Sequence, residues 1–340
     1  MAKICITGGA GYIGSHTLLL ALEAGHEVLV LDSLELGYAE ALERVREMSG
    51  REFEFLQLDL RDQSKLTRAL VDFALEAVIH FAAYKNVGEA EQEPEKYFQN
   101  NVEATKNLLR AMLEAECPRI IFSSSAAVYG LVSREELPIT ETSPLNPLGV
   151  YGQTKLDMEK LIAKYCQEEG LVGLALRYFN AVGAHPSGRI GEDPRVVGNI
   201  LPVMMRVLTG RQKQLTLFGD TFETRDGTQE RDYVHVLDLA RAHLLALEKD
   251  YSPKTFVALN LSTGQTTSCQ ELIDSVEKIT EQPLPYVVGA PRAGDPEVLY
   301  ASSAKAEREL GWHAKLDIEQ AITDQWRWTR QNPEGYADNY

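Results

Sequence analysis

The chain has 340 residues, 44% of them apolar and 25% charged, which is enough to bury one large α/β unit or two domains sharing a cleft, and argues against long disorder. A formal net charge of −16 and no local basic stripe argue against nucleic acid as a partner; a phosphorylated small molecule needs only one or two placed arginines and some backbone N–H groups. Cys5, Cys117, Cys166 and Cys269 are scattered, without metal-ligand spacing, and read as reduced, packed thiols with no metal. No basic-then-apolar leader precedes "KICITGG" and no stretch approaches the ~20 apolar residues that span a bilayer, so a cytoplasmic location away from membranes is expected.

In chain order, short apolar runs at 4 to 7, 28 to 31, 53 to 58, 77 to 82, 119 to 124 and 173 to 178 predict strands. Amphipathic stretches alternate with them, clearest at 95 to 115 and at 151 to 170, the latter closing on Gly170 as a C-cap. This alternation predicts an α/β fold with a doubly wound parallel sheet (Rossmann type) whose ligands sit beyond the carboxyl ends of the strands. After Asn180 the Gly- and Pro-rich segment 181 to 199 is too long for an ordinary connector and reads as a functional loop. Residues 1–180 are therefore expected to form the dinucleotide-binding domain, with segments around 232–262 returning to it. Residues 181–340 are expected to supply mainly a smaller, discontinuous substrate-binding domain.

"TGGAGYIG" follows the first strand and opens a helix, with Gly8, Gly11 and Gly14 spaced so that backbone N–H groups can approach a pyrophosphate at the positive end of that helix. Asp32 ends the second apolar run about 20 residues further on, where a carboxylate can accept from a ribose diol and would repel a 2′-phosphate. NAD is thus expected rather than NADP. Asp59 and Leu60 end the third strand and Phe81, Ala82, Ala83 and Lys85 follow the fourth, along the path of the rest of the dinucleotide. His80, at the end of a buried strand, reads as a satisfied core residue.

"SSSAAVYG" follows the strand "RIIF" and holds hydroxyls but no carboxylate or histidine to move a proton. Tyr151 and Lys155, at i and i+4 of the next helix, face the same way, and an ammonium beside a phenol favours the phenolate; this expects a tyrosine base with its pKa drawn towards neutrality. Ser125 is the favoured hydroxyl to hold a substrate oxygen, with Ser123 and Ser124 serving structure or cofactor.

The glycine loop, the serine-ended strand and Y-x-x-x-K resemble the extended short-chain dehydrogenase/reductase superfamily. The runs "FSSSAAVYG", "RYFNAVGAHPSGRIGEDP", "DGTQERDYVHVLDLA" and "ELGW" closely resemble the UDP-glucose 4-epimerase family, also called UDP-galactose 4-epimerase, over nearly the whole chain. The resemblance implies a resident NAD, regenerated within each turnover, that takes hydride from the sugar 4-carbon and returns it to the other face after the 4-keto sugar turns over. It implies Tyr151 as base, Ser125 as hydrogen-bonding helper and Lys155 as ribose ligand, all three touching cofactor, and Ser125 and Tyr151 also touching substrate. Tyr12, Ile13, Asn100 and Phe179 match further cofactor contacts. Asn180, Asn199, Thr216, Leu217, Phe218, Arg231, Arg292 and Asp295 match nucleotide-sugar contacts. A planar guanidinium can bind two diphosphate oxygens, although either arginine taken alone would read as surface charge. A homodimer built on the 95-to-115 and 151-to-169 helices is implied as well.

Two departures stand out. Pro291 replaces one of two adjacent arginines of some relatives, and Leu299 occupies a position where relatives carry tyrosine or a small residue that gates N-acetylated sugars, so sugar range stays open. Among alternatives, a dehydratase on this scaffold would carry acidic residues after the strand-end hydroxyl, where Ala126 and Ala127 stand. An epimerase of uronic acids is harder to separate. A non-catalytic cofactor sensor would be expected to lose the tyrosine or the lysine.

Overall fold

The computed structural model describes residues 1–195, 198–292 and 294–337. Its first half alternates β1 (Lys3–Thr7), α1 (Tyr12–Glu23), β2 (Glu27–Asp32), α2 (Ala39–Ser49), β3 (Glu54–Gln57), α3 (Gln63–Phe73) and β4 (Ala77–His80). There follow α4 (Val87–Gln92), α5 (Pro94–Tyr97), α6 (Ala104–Glu114), β5 (Arg119–Ser123), α7 (Val150–Glu169) and β6 (Val172–Tyr178). The remaining elements are β7 (Asn180–Val182), α8 (Ile200–Leu208), β8 (Leu215–Phe218), β9 (Glu230–Arg231), β10 (Tyr233–His235), α9 (Val236–Glu248) and β11 (Phe256–Leu261), then β12 (Thr267–Ser268), α10 (Cys269–Thr280), β13 (Tyr286–Gly289), β14 (Val298–Leu299), α11 (Ala304–Leu310) and α12 (Ile318–Gln331).

Seven strands form one sheet in the order β11-β6-β5-β4-β1-β2-β3, with every ladder parallel. The near-continuous Ile, Val and Leu runs of β1, β2, β4 and β5 are explained by this arrangement, since a parallel sheet covered by helices on both faces has no solvent side. Two apolar layers flank it, one built on Leu18, Leu19 and Leu22 of α1 and the other on Leu108, Leu109 and Met112 of α6. Each fully buried side chain of this size contributes ~1.5–3 kcal/mol. The strand order reverses between β1 and β4, which opens a crevice at their carboxyl ends, where the glycine loop and the segment after His80 meet.

β11, far along the chain, is the edge strand beside β6, and α9 packs on α1. The other small sheets, β10-β7, β12-β9-β14 and β13-β8, lie in the second half of the chain, with β7 directly following β6. Leu201, Met204, Leu272, Ile273 and Ile322 give α8, α10 and α12 a core of their own.

The sequence predicts one continuous helix over 95 to 115, and here the structure differs. After α5 the chain runs through a π-helical turn, Phe98–Glu103, before α6 begins. The wider turn carries Asn101, whose side chain accepts from the Tyr84 backbone N–H at 2.8 Å and donates to the Tyr84 carbonyl at 3.1 Å, pinning the segment beyond β4. A local departure of this kind inside a helix is tied to such a contact rather than to weak propensity. Helix α7 ends on Gly170 in the left-handed region at φ 85°, with its N–H donating to the Cys166 carbonyl at 3.1 Å, as expected of that glycine.

A Cβ at Gly14 would lie 2.1 Å from the Gly8 carbonyl oxygen, so the loop and the helix can approach this closely only with hydrogen there. Gly14→Ala is expected to lower the urea-unfolding free energy by ~1–3 kcal/mol, and an unchanged midpoint would show that the loop yields freely.

Candidate active site

Helix α1 starts at the N-cap Gly11 with no side chain capping it, so its first N–H groups face the crevice beyond β1. A Cβ at Gly8, which holds φ +72°, would stand 2.7 Å from the Ala82 backbone nitrogen, so the two loops form a cradle that only glycine permits. At its rim the buried Asp32 carboxylate accepts from the backbone N–H groups of Ala10 and Leu34, each at 2.9 Å. Burial raises the Asp32 pKa, and those two donors oppose the rise. Backbone donors at a helix N-terminus and a carboxylate at the end of β2 are the donor set that a dinucleotide needs, and the cradle fits one.

Other expected residues of this crevice are placed as follows. Phe81, Ala82 and Ala83 follow β4, with the Phe81 ring packed on His243 and the Ala82 backbone against Gly8, and Leu60 is buried while Ile13 packs partly against the core. The Tyr12 hydroxyl donates to the Gly183 carbonyl at 2.5 Å, joining α1 to the loop after β7. Asp59 is held by Arg61, which reaches it through both backbone and guanidinium and lowers its pKa. Asn100 sits in the π turn and donates to Asn101 at 3.3 Å. Lys85, half exposed, pairs with the buried Glu192 at 2.8 Å, and Glu192 also accepts from Asn199, the N-cap of α8, at 2.9 Å.

Beyond β5 the three serines take different partners. The Ser123 hydroxyl meets the Tyr178 hydroxyl at 2.5 Å, and Ser124 donates to Glu159 at 2.5 Å, both in the interior. Ser125 caps a single turn over Ala126–Val128, accepting from the Ala127 N–H at 3.2 Å, and its hydroxyl acts on the Tyr151 phenol to favour the phenolate. Lys155, buried, donates from Nζ to the Ser123 carbonyl at 2.9 Å and lies 4.9 Å from the centre of the Phe122 ring.

The electrostatics differ from the sequence expectation. Lys155 Nζ is 6.0 Å from the centre of the Tyr151 ring, and burial draws the Lys155 pKa down to about 7, with Glu159 opposing. Burial likewise raises the pKa of the Tyr151 phenol; the groups that oppose the rise are the Ser125 hydroxyl and the charge of Lys85. The stretch "YGQTK" predicts a tyrosine drawn towards neutrality by Lys155, but desolvation of the phenolate outweighs that pull here, and the cation that opposes it comes from beyond β4.

The residues expected on the substrate side come from scattered segments. Leu299 of β14 lies opposite Arg231 of β9 in a parallel ladder, and Arg231 reaches Asp295 at 3.7 Å. Arg292 stacks on Phe218, its guanidinium carbon 3.7 Å from the ring centre, at the end of the strand that carries Thr216 and Leu217. Asn180 donates to the Asp232 carbonyl at 2.9 Å. Leu299 and Phe179 pack against the cluster of Ala126, Val128 and Tyr129, which brings this wall to the serine turn. The sequence reasoning passed over Tyr178, Glu159, Arg177 and Glu192. A charged residue inside the buried run "GLALRY" and a carboxylate at i+8 from Tyr151 were the available signals for two of them.

A glycine cradle over an open parallel sheet, with a serine turn and a Tyr-x-x-x-Lys helix at its mouth, defines an extended short-chain dehydrogenase/reductase. A family model described as GDP-mannose 4,6 dehydratase matches residues 5–325. The chain is 45% identical over 335 residues to a UDP-glucose 4-epimerase of Bacillus subtilis, covering 98% of each, and 44% identical to UDP-glucose 4-epimerase GEPI48 of Cyamopsis tetragonoloba over 98% of this chain and 97% of that one. Its fold matches a UDP-glucose 4-epimerase of Stenotrophomonas maltophila, solved with NAD and formylated UDP-arabinopyranose, with a TM-score of 0.94 at 39% identity over 98% and 99% of the two chains. A Bifidobacterium longum UDP-glucose 4-epimerase solved with NAD+ and UDP gives 0.92 at 38% identity over 98% and 100%. The chain belongs to the UDP-glucose 4-epimerase family.

His80 is a core residue, as its sequence position suggests. Its Nδ1 lies 2.7 Å from the Thr7 hydroxyl and its Nε2 3.0 Å from that of Thr105, and burial holds its pKa at about 3. His80→Leu would leave the buried Thr7 hydroxyl without its ring partner, while Thr105 keeps its bond to the Asn101 carbonyl at 2.6 Å, so a loss of ~1–3 kcal/mol in urea unfolding is expected with the pH dependence of activity unmoved. A shifted pH profile would instead make His80 part of the proton path.

Proposed function

We propose that this chain interconverts UDP-glucose and UDP-galactose, with NAD kept bound and regenerated in each turnover. The observation that carries the reading is the grouping of Ser125, Tyr151 and Lys155 at the mouth of the glycine cradle, in a chain 45% identical along its length to a UDP-glucose 4-epimerase. Gly8, Gly11, Gly14 and the first turn of α1 would hold the pyrophosphate, Asp32 the adenosine ribose and Lys155 the second ribose. Tyr12, Ile13, Asp59, Leu60, Phe81, Ala82, Ala83, Lys85, Asn100 and Phe179 would complete the cofactor's surroundings. NAD bound there supplies the acceptor for hydride from the sugar 4-carbon and the donor that returns it to the opposite face.

The protein's own part is proton transfer, orientation and release from orientation. Tyr151 takes the 4-hydroxyl proton and later gives it back to the 4-oxygen, while Ser125 hydrogen-bonds that oxygen. Because burial raises the pKa of the phenol, the Ser125 hydroxyl and the Lys85 charge are needed to favour the phenolate that takes this proton. Arg231 and Arg292 would anchor the diphosphate, with Asn180, Asn199, Asp295 and the strand Thr216 to Phe218 around the nucleotide. Between these fixed ends Phe179 and Leu299 offer an apolar wall without hydrogen bonds to the ring, which lets a keto sugar turn over. Ala126 and Ala127, following Ser125, offer no acid for eliminating water, which favours epimerisation over dehydration.

The same reading makes the protein a cytoplasmic homodimer. In its support, no helix among the described residues is long and apolar enough to cross a membrane, and the four cysteines are buried and unpaired. Leu113 of α6 and Leu161 and Tyr165 of α7 remain partly uncovered on the helices that would pair. Sedimentation at micromolar concentration should give the dimer mass; a monomer would remove that assignment.

Purified protein offered UDP-galactose is expected to form UDP-glucose, and bound cofactor without product would overturn the proposal. Tyr151→Phe should lower kcat by ~10²–10⁴-fold while UDP still binds in a titration. Near-normal turnover in that variant would place the base elsewhere.

A further inference from the structure

Helix α7 turns three ionisable side chains towards the sheet at successive i, i+4 positions: Tyr151, Lys155 and Glu159. The third has no place in the chemistry above. Glu159 is buried, and its carboxylate accepts from Ser124 Oγ at 2.5 Å and from Arg177 Nε at 2.9 Å and Nη2 at 2.6 Å. Arg177, equally buried, lies in a strand that is otherwise apolar up to Tyr178. Its Nη1 donates to the Tyr129 hydroxyl at 2.9 Å, and that hydroxyl donates to Asn260 of β11 at 2.7 Å. A buried ion pair is weak as a source of stability, because well-packed apolar residues of the same volume often do as well or better. Its presence at this place calls for another role.

The geometry indicates one. Ser124 and Tyr129 flank the turn that carries Ser125, and both are tied to the same Glu159–Arg177 pair, so the turn is anchored on each side of the hydroxyl that acts on the Tyr151 phenol. The same carboxylate lies one turn along the helix from Lys155. The other groups around Lys155 do not supply a counter-charge. The Ser123 carbonyl and the Phe122 ring of β5 are neutral, His80 of β4 is held uncharged, and Tyr151 and Tyr178 are phenols whose pKa values burial raises. Arg177 of β6 is a cation and Lys85 beyond β4 another.

We propose that Glu159 is a positioning residue for the reaction: it supplies the counter-charge that keeps the Lys155 ammonium charged in the interior and, through Ser124 and Arg177, holds Ser125 against Tyr151. This rests on the assignment of Tyr151 and Lys155 as the acid–base pair. The direction of the effect is set by the environment of Lys155, whose pKa burial lowers to about 7 and Glu159 alone raises. Without the carboxylate the ammonium loses its proton at lower pH.

The test is the pH dependence of kcat for UDP-galactose in the NAD-bound enzyme, with folding checked by circular dichroism. Glu159→Gln should move the alkaline fall in activity down by about one pH unit, a roughly tenfold loss at a fixed pH above it, while Glu159→Asp keeps the wild-type profile. Because Glu159→Gln leaves Arg177 buried without its partner, the double variant Glu159→Gln/Arg177→Met, which removes both charges, is measured beside it and should show a downward move in the same direction but smaller, since a repelling cation goes too. A folded variant with a uniform loss at every pH and an unmoved alkaline limb would make the pair purely structural and overturn the proposal. A wild-type enzyme without epimerase activity would instead refute the underlying assignment, which separates the two failures.

Discussion

An ammonium group held in the protein interior is the constraint on which the active-site architecture turns. Lys155 is 4% exposed, and its Nζ lies 2.9 Å from the carbonyl of Ser123, the last residue of β5. The carboxyl end of a parallel strand is one of the few interior places with a backbone carbonyl to offer such a donor, because the ladder ends there. That places the first turns of the helix bearing Lys155 at the carboxyl ends of β5 and β6, while Ile162 and Cys166 further along it reach Gly173 near the start of β6. The desolvation that makes the site selective for neutral forms also sets its acid–base character: phenol and ammonium are both driven towards the uncharged state, and the surrounding hydrogen bonds and charges decide how far.

The charge distribution of the molecule makes sense in these terms. A chain with a net charge of −16 gains nothing from a general attraction for phosphate, so anion binding must be local. On the proposed reading it is local in two physical forms. One is the uncapped start of α1 against glycines that leave no room for a Cβ. The other is a pair of arginines, Arg231 of β9 and Arg292 of the loop after β13, oriented by Asp295 and by the face of Phe218. Lys85, Glu192 and Asn199 form a hydrogen-bonded bridge between the segment beyond β4 and the start of α8.

Much of this was legible in the sequence. Alternating apolar runs and amphipathic stretches specify a covered parallel sheet, since no other arrangement buries strands that lack a polar face. The glycine spacing with Asp32, and Tyr151 with Lys155 at i+4, follow from local geometry that holds wherever a strand feeds a helix. The π turn at Phe98–Glu103 was not legible, because the 95-to-115 pattern is helical and the cause of the break is Asn101 bonding Tyr84, seventeen residues away.

The balance of charge around Tyr151 belongs to the same category. Spacing on a helix says which side chains share a face; it says nothing about how much water they lose or which cations approach from other strands. Hence Lys155 could be named from its place in "YGQTK", but its lowered pKa, the reach of Lys85 towards Tyr151 and the anchoring of Ser125 by Glu159 and Arg177 could not. Motifs short enough to lie on one element were readable residue by residue. Burial and long-range electrostatics came only from the packed chain, because they depend on everything that surrounds a group.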